Sequence, residues 1–308
     1  MDTVRSSGAH GLDLRFVGGV VARTLLPMWF ILSSSLTLYQ FASRNLLGID
    51  ARLYRFAAVQ ALSGGDPWAV HADGVFAGPP PTLLLCLPSA LLPEVVATVL
   101  IVGLGLAAAI WAVRRLELPL WWVFFPPLFE AVIVGNPDAL VLALLLVRGP
   151  LAGVAAGLKV YALIPLALAR RWSALAVAAV VAAASLPLLP AFLNSLRSVS
   201  TVLDQQTAHL SAWGTWLVVP TLIALVVLRR RGAEWLVVPA LWPNTQRHYA
   251  AMSLPAVRRS PIGAALMSLG LPLAPAAAVI YMAIEASWQN RRAPAVPAAD
   301  DLPGAPPA

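Results

Sequence analysis

The sequence predicts an all-α, polytopic integral membrane protein with about eight to ten transmembrane helices, and three observations carry that expectation. Of 308 residues, 59% are hydrophobic and only 11% charged, where soluble domains carry roughly a quarter charged residues. Apolar runs recur from residue 16 to residue 285, and a bilayer core about 30 Å thick takes about 20 apolar residues per helix. The formal charge of +7 comes mostly from arginines at the ends of those runs: Arg114-Arg115, Arg170-Arg171, Arg229 to Arg231, Arg258-Arg259 and Arg291-Arg292. Cations so placed are topology signals, and nucleic acid is excluded as the partner they imply.

The chain divides into a cytoplasmic N-terminal segment 1–15, a membrane domain 16–285 and a Pro- and Ala-rich C-terminal tail 286–308 that is disordered by composition. Spans are expected at 16–39, 80–93, 94–113, 119–134, 138–148, 151–169, 172–190, 213–228, 235–243 and 262–285. Several are too short to cross alone. Segments such as 138–148 must be tilted, broken or buried among other helices, because irregular backbone at membrane depth needs protein or a wet cavity to satisfy it. No cleavage pattern follows the first run, which exceeds a signal-peptide core in length and reads as an uncleaved anchor. With the N-terminus inside, Arg114-Arg115 and Arg258-Arg259 fall outside and the other clusters inside. The polar loops 40–79, 191–212 and 244–260 then share the outer face. Cys86 is the single cysteine, so no internal disulfide forms.

The first outer loop holds most of the polar chemistry. Asp50 precedes a helix-forming run from Ala51 to Leu62 that Gly64-Gly65 stops, which predicts a short helix lying beside the bilayer. Asp50 suits an N-cap there, and it equally suits a base. Arg44, Arg52 and Arg55 surround it, and Asp66, Trp68, His71 and Asp73 follow before Gly78-Pro79-Pro80-Pro81 leads into the next apolar run. Glu130 and the turn Gly135-Asn136-Pro137-Asp138 place two acids near a membrane boundary. They read either as a functional pair or as a carboxylate reaching water and a helix cap. Lys159, in the run GLKVYALIP, must snorkel, pair or face a cavity. Loop 191–212, with Asp204, Gln205, Gln206 and His209, reads as solvated. Asn244, Thr245, Gln246, Arg247, His248 and Tyr249 form a dense polar run, costly beside a membrane unless it meets water or a polar ligand.

No Walker loop, HExxH, GxSxG or strand-borne GxGxxG occurs, and no DxD pair stands in an open loop. The pattern that does occur is Asp50 and Tyr54 in D-x-x-x-Y, Gly64 through Trp68 as a Gly/Pro/aromatic element, and Phe76 through Pro80 as a Phe-to-Pro-Pro entry into a span. Gly135-Asn136-Pro137-Asp138 follows as a G-N-x-D turn, then the intramembrane Lys159, then an outer stretch Trp242 to Pro255. This order, over roughly residues 40–260, resembles the GT-C membrane glycosyltransferases, and more narrowly glycosyltransferase family 87, the polyprenol-phosphate-mannose-dependent mannosyltransferases. The chain departs from the pattern in length, in Val160 where the family has Pro, and in Arg247-His248 where the family has paired histidines.

The resemblance implies transfer of a hexose, mannose by family analogy, from a polyprenyl-phosphate-linked donor to a cell-envelope glycolipid or glycan. It implies a plasma-membrane enzyme with its site on the extracytoplasmic face, membrane lipids as neighbours, and no cofactor or metal. The leaving group is already a phosphate anion, so one carboxylate suffices for a single inverting displacement. Asp50 is implied as general base, a role contributing typically about 10²- to 10⁴-fold, and His248 as donor to the leaving oxygen. Tyr54, Arg52, Asp66, Trp68, Lys159, Gln246, Arg247, Tyr249 and Arg258 are implied in substrate binding, the arginines because their planar fork bonds two phosphate oxygens. The competing function class is a transporter or lipid flippase, with Glu130, Asp138 and Lys159 along a path. Paired repeats of broken helices would mark it, and none is visible.

Overall fold

The computed structural model describes residues 19–71, 74–206 and 210–292. The N-terminal segment 1–15, Asp73, His209 and the tail from residue 293 lie outside the described residues, as do the side chains of Asp204, Gln205 and Gln206. Within them the protein is α-helices and short 3-10 turns, with one π-helical turn, Val21–Leu25, and one minimal hairpin, Val70–His71 against Gly74–Val75. Two helices are long and apolar enough to cross a membrane unaided, Arg23–Ser43 and Glu94–Arg115. The number reaches four if each of two bent helix pairs is one span. The unbroken spans are thus fewer than the eight to ten expected, because proline, glycine and one lysine interrupt the other apolar runs.

Helix α1 (Leu26–Ser43) and helix α3 (Glu94–Arg115) leave Leu32, Leu36, Val95 and Val99 exposed, the surface that lipid tails would cover. Between them helix α2 (Ile49–Ser63) lies against the bundle. It begins two residues earlier than expected. Gly48, at φ 67°, precedes it and donates to Ile133 O, and no side chain caps it, so Asp50 stands in the first turn and is not the cap. Gly64, at φ 77°, ends the helix in the left-handed conformation that glycine adopts without strain.

Helices α4 (Pro126–Val134) and α5 (Asp138–Leu146) form a hairpin bent by 118° at Gly135-Asn136-Pro137. A Cβ at Gly135 would come within 2.6 Å of the Ala51 side chain, so this glycine lets the hairpin tip press against the start of α2. The run expected as one span over 151–169 is broken into Val154–Leu158 and Leu163–Leu168 by an extended Lys159 (φ −145°, ψ 115°) and a 3-10 turn. The Thr82 hydroxyl lies 3.0 Å from both Gly157 O and Leu158 O, serving carbonyls that the break releases.

Two outer-loop expectations are corrected. Residues 191–212 were expected as a solvated loop, yet helix α6 (Leu189–Gln206) occupies most of the stretch. Phe192, Val199, Val202 and Leu203 recur at helical spacing and pack on Tyr54, Trp68, Val75 and Phe76. Residues 244–260 leave the surface at Arg247 and run through the bundle as Arg247–Ser253 and Leu254–Val257, with Ala251, Met252, Leu254 and Val257 fully buried. Arg258 therefore reaches Leu116 O, roughly 27 Å along α3 from Thr98, the residue that Gly48 touches.

That placement also regroups the arginines. Leu116 follows Arg114-Arg115, Gly232 abuts Ala256, and Arg231 bonds Gln289 and Asn290. Arg171 bonds the carbonyls at the end of α5 that points away from Asp138. All five clusters thus lie away from Asp50, including the two pairs expected on its side.

Candidate active site

Four segments far apart in sequence bring polar side chains to one place: the first turns of α2, the hairpin tip, the break at Lys159 and the stretch 246–249. Asp50 and Tyr54, one turn apart on α2, point the same way. Asn136 Nδ2 donates to Asp50 Oδ2 at 2.7 Å, while Asn136 Oδ1 accepts from the Asp138 N–H at 3.2 Å. The left-handed turn at Gly135 is what aims the amide at α2.

Asp138 is fully buried and is the first residue of α5, not its cap. Tyr161 OH donates to its Oδ1 in a short hydrogen bond. Lys159 Nζ lies 3.9 Å from the same oxygen and His248 Nε2 3.9 Å from Oδ2, which accepts no hydrogen bond. Lys159 also sits 5.2 Å over the Tyr249 ring, so it pairs and stacks within the protein and does not snorkel.

Both ring nitrogens of His248 face polar partners. Nε2 is 3.2 Å from Asn136 Nδ2, and Nδ1 is 3.7 Å from Glu130 Oε1. An amide nitrogen only donates, so this contact makes Nε2 an acceptor and puts the ring proton on Nδ1, facing Glu130. In this arrangement both ring nitrogens of His248 are engaged with groups of the protein itself, Asn136 and Glu130. Arg247 is similarly engaged, with Ser33 Oγ at 2.8 Å, Ser268 O at 3.0 Å, Thr37 Oγ1 at 3.1 Å and Glu130 at 3.4 Å. It ties α1 to the hairpin.

A cavity of about 420 Å³ opens beside this network, with Asp50, Glu130, Gln246, Arg247 and His248 in its wall and Phe41, Leu210 and Gly270 among its apolar neighbours. Behind it, burial pushes the Tyr54 phenol well above its ordinary range, so that hydroxyl stays protonated and can donate. The arrangement holds two carboxylates, an arginine, a histidine and an amide at the cavity wall, with Lys159 paired to Asp138 in the adjoining cluster.

Of the residues expected in the site, the fold assembles Asp50, Tyr54, Lys159, Gln246, Arg247, His248 and Tyr249. Arg52 lies on the other face of α2, where it donates to Leu47 O and Asn45 O. Asp66 accepts from the Trp68 N–H and from Ser195, and Trp68, buried against Phe76 and Phe192, donates to Gly78 O. These two build the outer-loop core. Arg258 is at the far end of α3. Glu130, Asn136 and Asp138, which the sequence offers as a possible functional pair and a family-like turn but not as substrate-binding groups, belong to the cluster, and Tyr161, to which the sequence assigns no role, joins them. The spacing of Lys159 and Tyr161 around a helix break was the available signal. Glu130, Asp138 and Lys159, expected along a path in the transporter reading, are joined in one cluster through His248 and Arg247.

The family model of glycosyltransferase family 87 matches residues 76–299, well over half of the chain. The matched stretch contains Glu130, Asn136, Asp138, Lys159, Tyr161 and His248, and begins after Asp50. No curated protein and no solved structure matches the chain.

Proposed function

Since the chain belongs to glycosyltransferase family 87 and is a membrane-embedded glycosyltransferase, we propose that it transfers a hexose, mannose foremost, from a polyprenyl-phosphate-linked donor to a glycolipid or glycan acceptor of the cell envelope. The observation that carries this reading is the Asp50 carboxylate, held through Oδ2 by Asn136 in the wall of the 420 Å³ cavity. Asp50 takes the proton of the acceptor hydroxyl as that oxygen forms its bond to the anomeric carbon. The bond from that carbon to the phosphate oxygen breaks, and polyprenyl phosphate leaves as an anion. Attack opposite the leaving group inverts the anomeric centre.

Lys159 and Arg247 supply positive charge for the phosphate, and Tyr54, Gln246 and Tyr249 supply hydrogen bonds to sugar hydroxyls. A base so positioned contributes typically about 10²- to 10⁴-fold. Asn136 and His248 hold the carboxylate and its neighbours in place, the preorganisation that makes such a contribution possible. The arginine clusters at the opposite end support a cytoplasmic position for it by the positive-inside rule, and with it a site on the extracytoplasmic side of the plasma membrane, where a lipid-linked donor needs no nucleotide.

The test offers purified protein a polyprenyl-phosphate hexose and a nucleotide-linked hexose with the same membrane-lipid acceptor fraction, and follows the labelled sugar and its anomeric configuration. Transfer from the lipid-linked donor with inversion is expected. Transfer from the nucleotide sugar alone, or with retention, overturns the reading.

A further inference from the structure

Two carboxylates stand in the wall of the 420 Å³ cavity, and transfer uses one of them. Asp50 Oδ2 takes the Asn136 amide, and among the described residues no group bonds Oδ1, the oxygen left for an acceptor hydroxyl. Glu130 and Val134, one turn apart on α4, line the same wall. Glu130 Oε2 lies 3.4 Å from Arg247 and Oε1 3.7 Å from His248, with the side chain 13% exposed. A carboxylate has about four lone-pair sites, so each oxygen can accept a further bond from the cavity. Gln246 adds an amide to the wall, and its side chain has no partner among the described residues. A free amide brings both donors and an acceptor to a ligand.

The charge of the wall limits what it can hold. Two carboxylates face one guanidinium, and the His248 ring is neutral with its proton on Nδ1, so the wall is negative on balance. The terminal nitrogens of Arg247 are spent on Ser33, Thr37, Ser268 O and Glu130, and its Nε is buried, so it lends charge and no open donor. Lys159 is paired with Asp138 behind the wall. A phosphate in this cavity would meet like charge, which costs an interface heavily. A sugar hydroxyl can instead donate to either carboxylate in a charge-assisted hydrogen bond. Phe41, Leu46, Ile49 and Leu210 add apolar surface for the C–H face of a ring. Small-molecule sites show this mixture of apolar wall and few placed polar groups.

Building on the assignment of Asp50 as base, we propose that this cavity is the acceptor's site, that it takes an uncharged sugar ring and rejects a phosphorylated one, and that Glu130 and Gln246 make the selection. The ring's hydroxyls donate to Glu130 and exchange bonds with the Gln246 amide. A further hydroxyl is thereby turned toward Asp50 Oδ1, while the donor's phosphate lies on the Lys159 side.

The experiment is photo-crosslinking of the full chain, in a detergent without sugar headgroups, by octyl mannoside carrying a diazirine on its octyl chain, with labelled peptides mapped by mass spectrometry. The readout is binding and is independent of which donor the enzyme uses. Labelling at the cavity's apolar residues, Phe41 and Leu46 among them, is expected. Octyl mannoside should compete for it, and its 6-phosphate should compete at least about tenfold less well. Gln246→Ala, which removes no side-chain bond within the protein, should weaken octyl mannoside by about two- to tenfold. Glu130→Gln keeps an acceptor for Arg247 and should erase most of the discrimination against the 6-phosphate, a ratio that partial unfolding does not move. Arg197→Gln, on the exposed side of α6, should change neither. Equal competition by the 6-phosphate in the wild type, an unaltered ratio in Glu130→Gln, wild-type affinity in Gln246→Ala, or labelling confined to peptides outside the cavity overturns the site. Failure of transfer from a lipid-linked donor with this labelling intact would overturn the donor and leave the acceptor site standing.

Discussion

Asp50→Asn separates the base from the scaffold. Asp50 does not cap α2, since Gly48 precedes the helix and no side chain caps it, so the substitution removes no capping bond. The bond at stake is the 2.7 Å contact from Asn136 Nδ2. The asparagine oxygen still accepts there, and the difference between a charged and a neutral acceptor is about 1 kcal/mol. Folding should survive with a small loss of thermal stability. Transfer should fall by at least about 10²-fold, the lower end for a positioned base, because the amide cannot take the hydroxyl proton. The assay is initial-rate transfer of labelled hexose from polyprenyl phosphate by purified variant and wild type, with thermal unfolding in the same detergent. A rate within about tenfold of wild type, at equal folding, would refute the assignment and move the search to Glu130, the other carboxylate of the cavity wall.

The buried cluster predicts a contrast in stability. Asp138→Ala strands Lys159 and Tyr161, and loss of one partner from a buried pair costs about 3–5 kcal/mol, whereas Asp138→Asn keeps an acceptor for Tyr161 and should cost less; equal melting temperatures would contradict the contacts seen. Arg258→Gln should leave donor affinity unchanged, since Arg258 bonds Leu116 O, and a rise in donor KM would place it in the site after all. In a Cys86→Ala background, single cysteines at Arg197 and Arg259 should react from opposite sides with a membrane-impermeant thiol reagent. Labelling of both from one side of intact vesicles would overturn the separation of the site from the arginine-rich end.

What depends on near neighbours in the chain was legible in the sequence. Composition dictated a helical membrane protein, because a backbone in lipid must satisfy its own hydrogen bonds. Gly64 predicted the end of α2, and Gly135-Asn136-Pro137 the break between two helices, because φ preferences are local. A lysine in an apolar run must snorkel, pair or face a cavity, since charge at that depth is expensive, and the fold selects pairing, with Asp138 and the Tyr249 ring as partners. The amphipathic spacing of Phe192, Val199, Val202 and Leu203 is equally local, but the polar average of the stretch masks it.

The site itself was decided by tertiary structure. Asp50 and Asn136 are 86 residues apart, and Asn136 and His248 112; nothing local states that a glycine without a Cβ lets the hairpin tip press on Ala51 and bring them together. The same holds for the position of Arg258. Its cluster looked like the end of an outer loop, but the alanines and Met252 before it are apolar enough to be drawn through the bundle, and burial of that stretch carried the arginine to the other end. Local chemistry determined which groups the chain could offer, and packing over long sequence separations determined which of them meet.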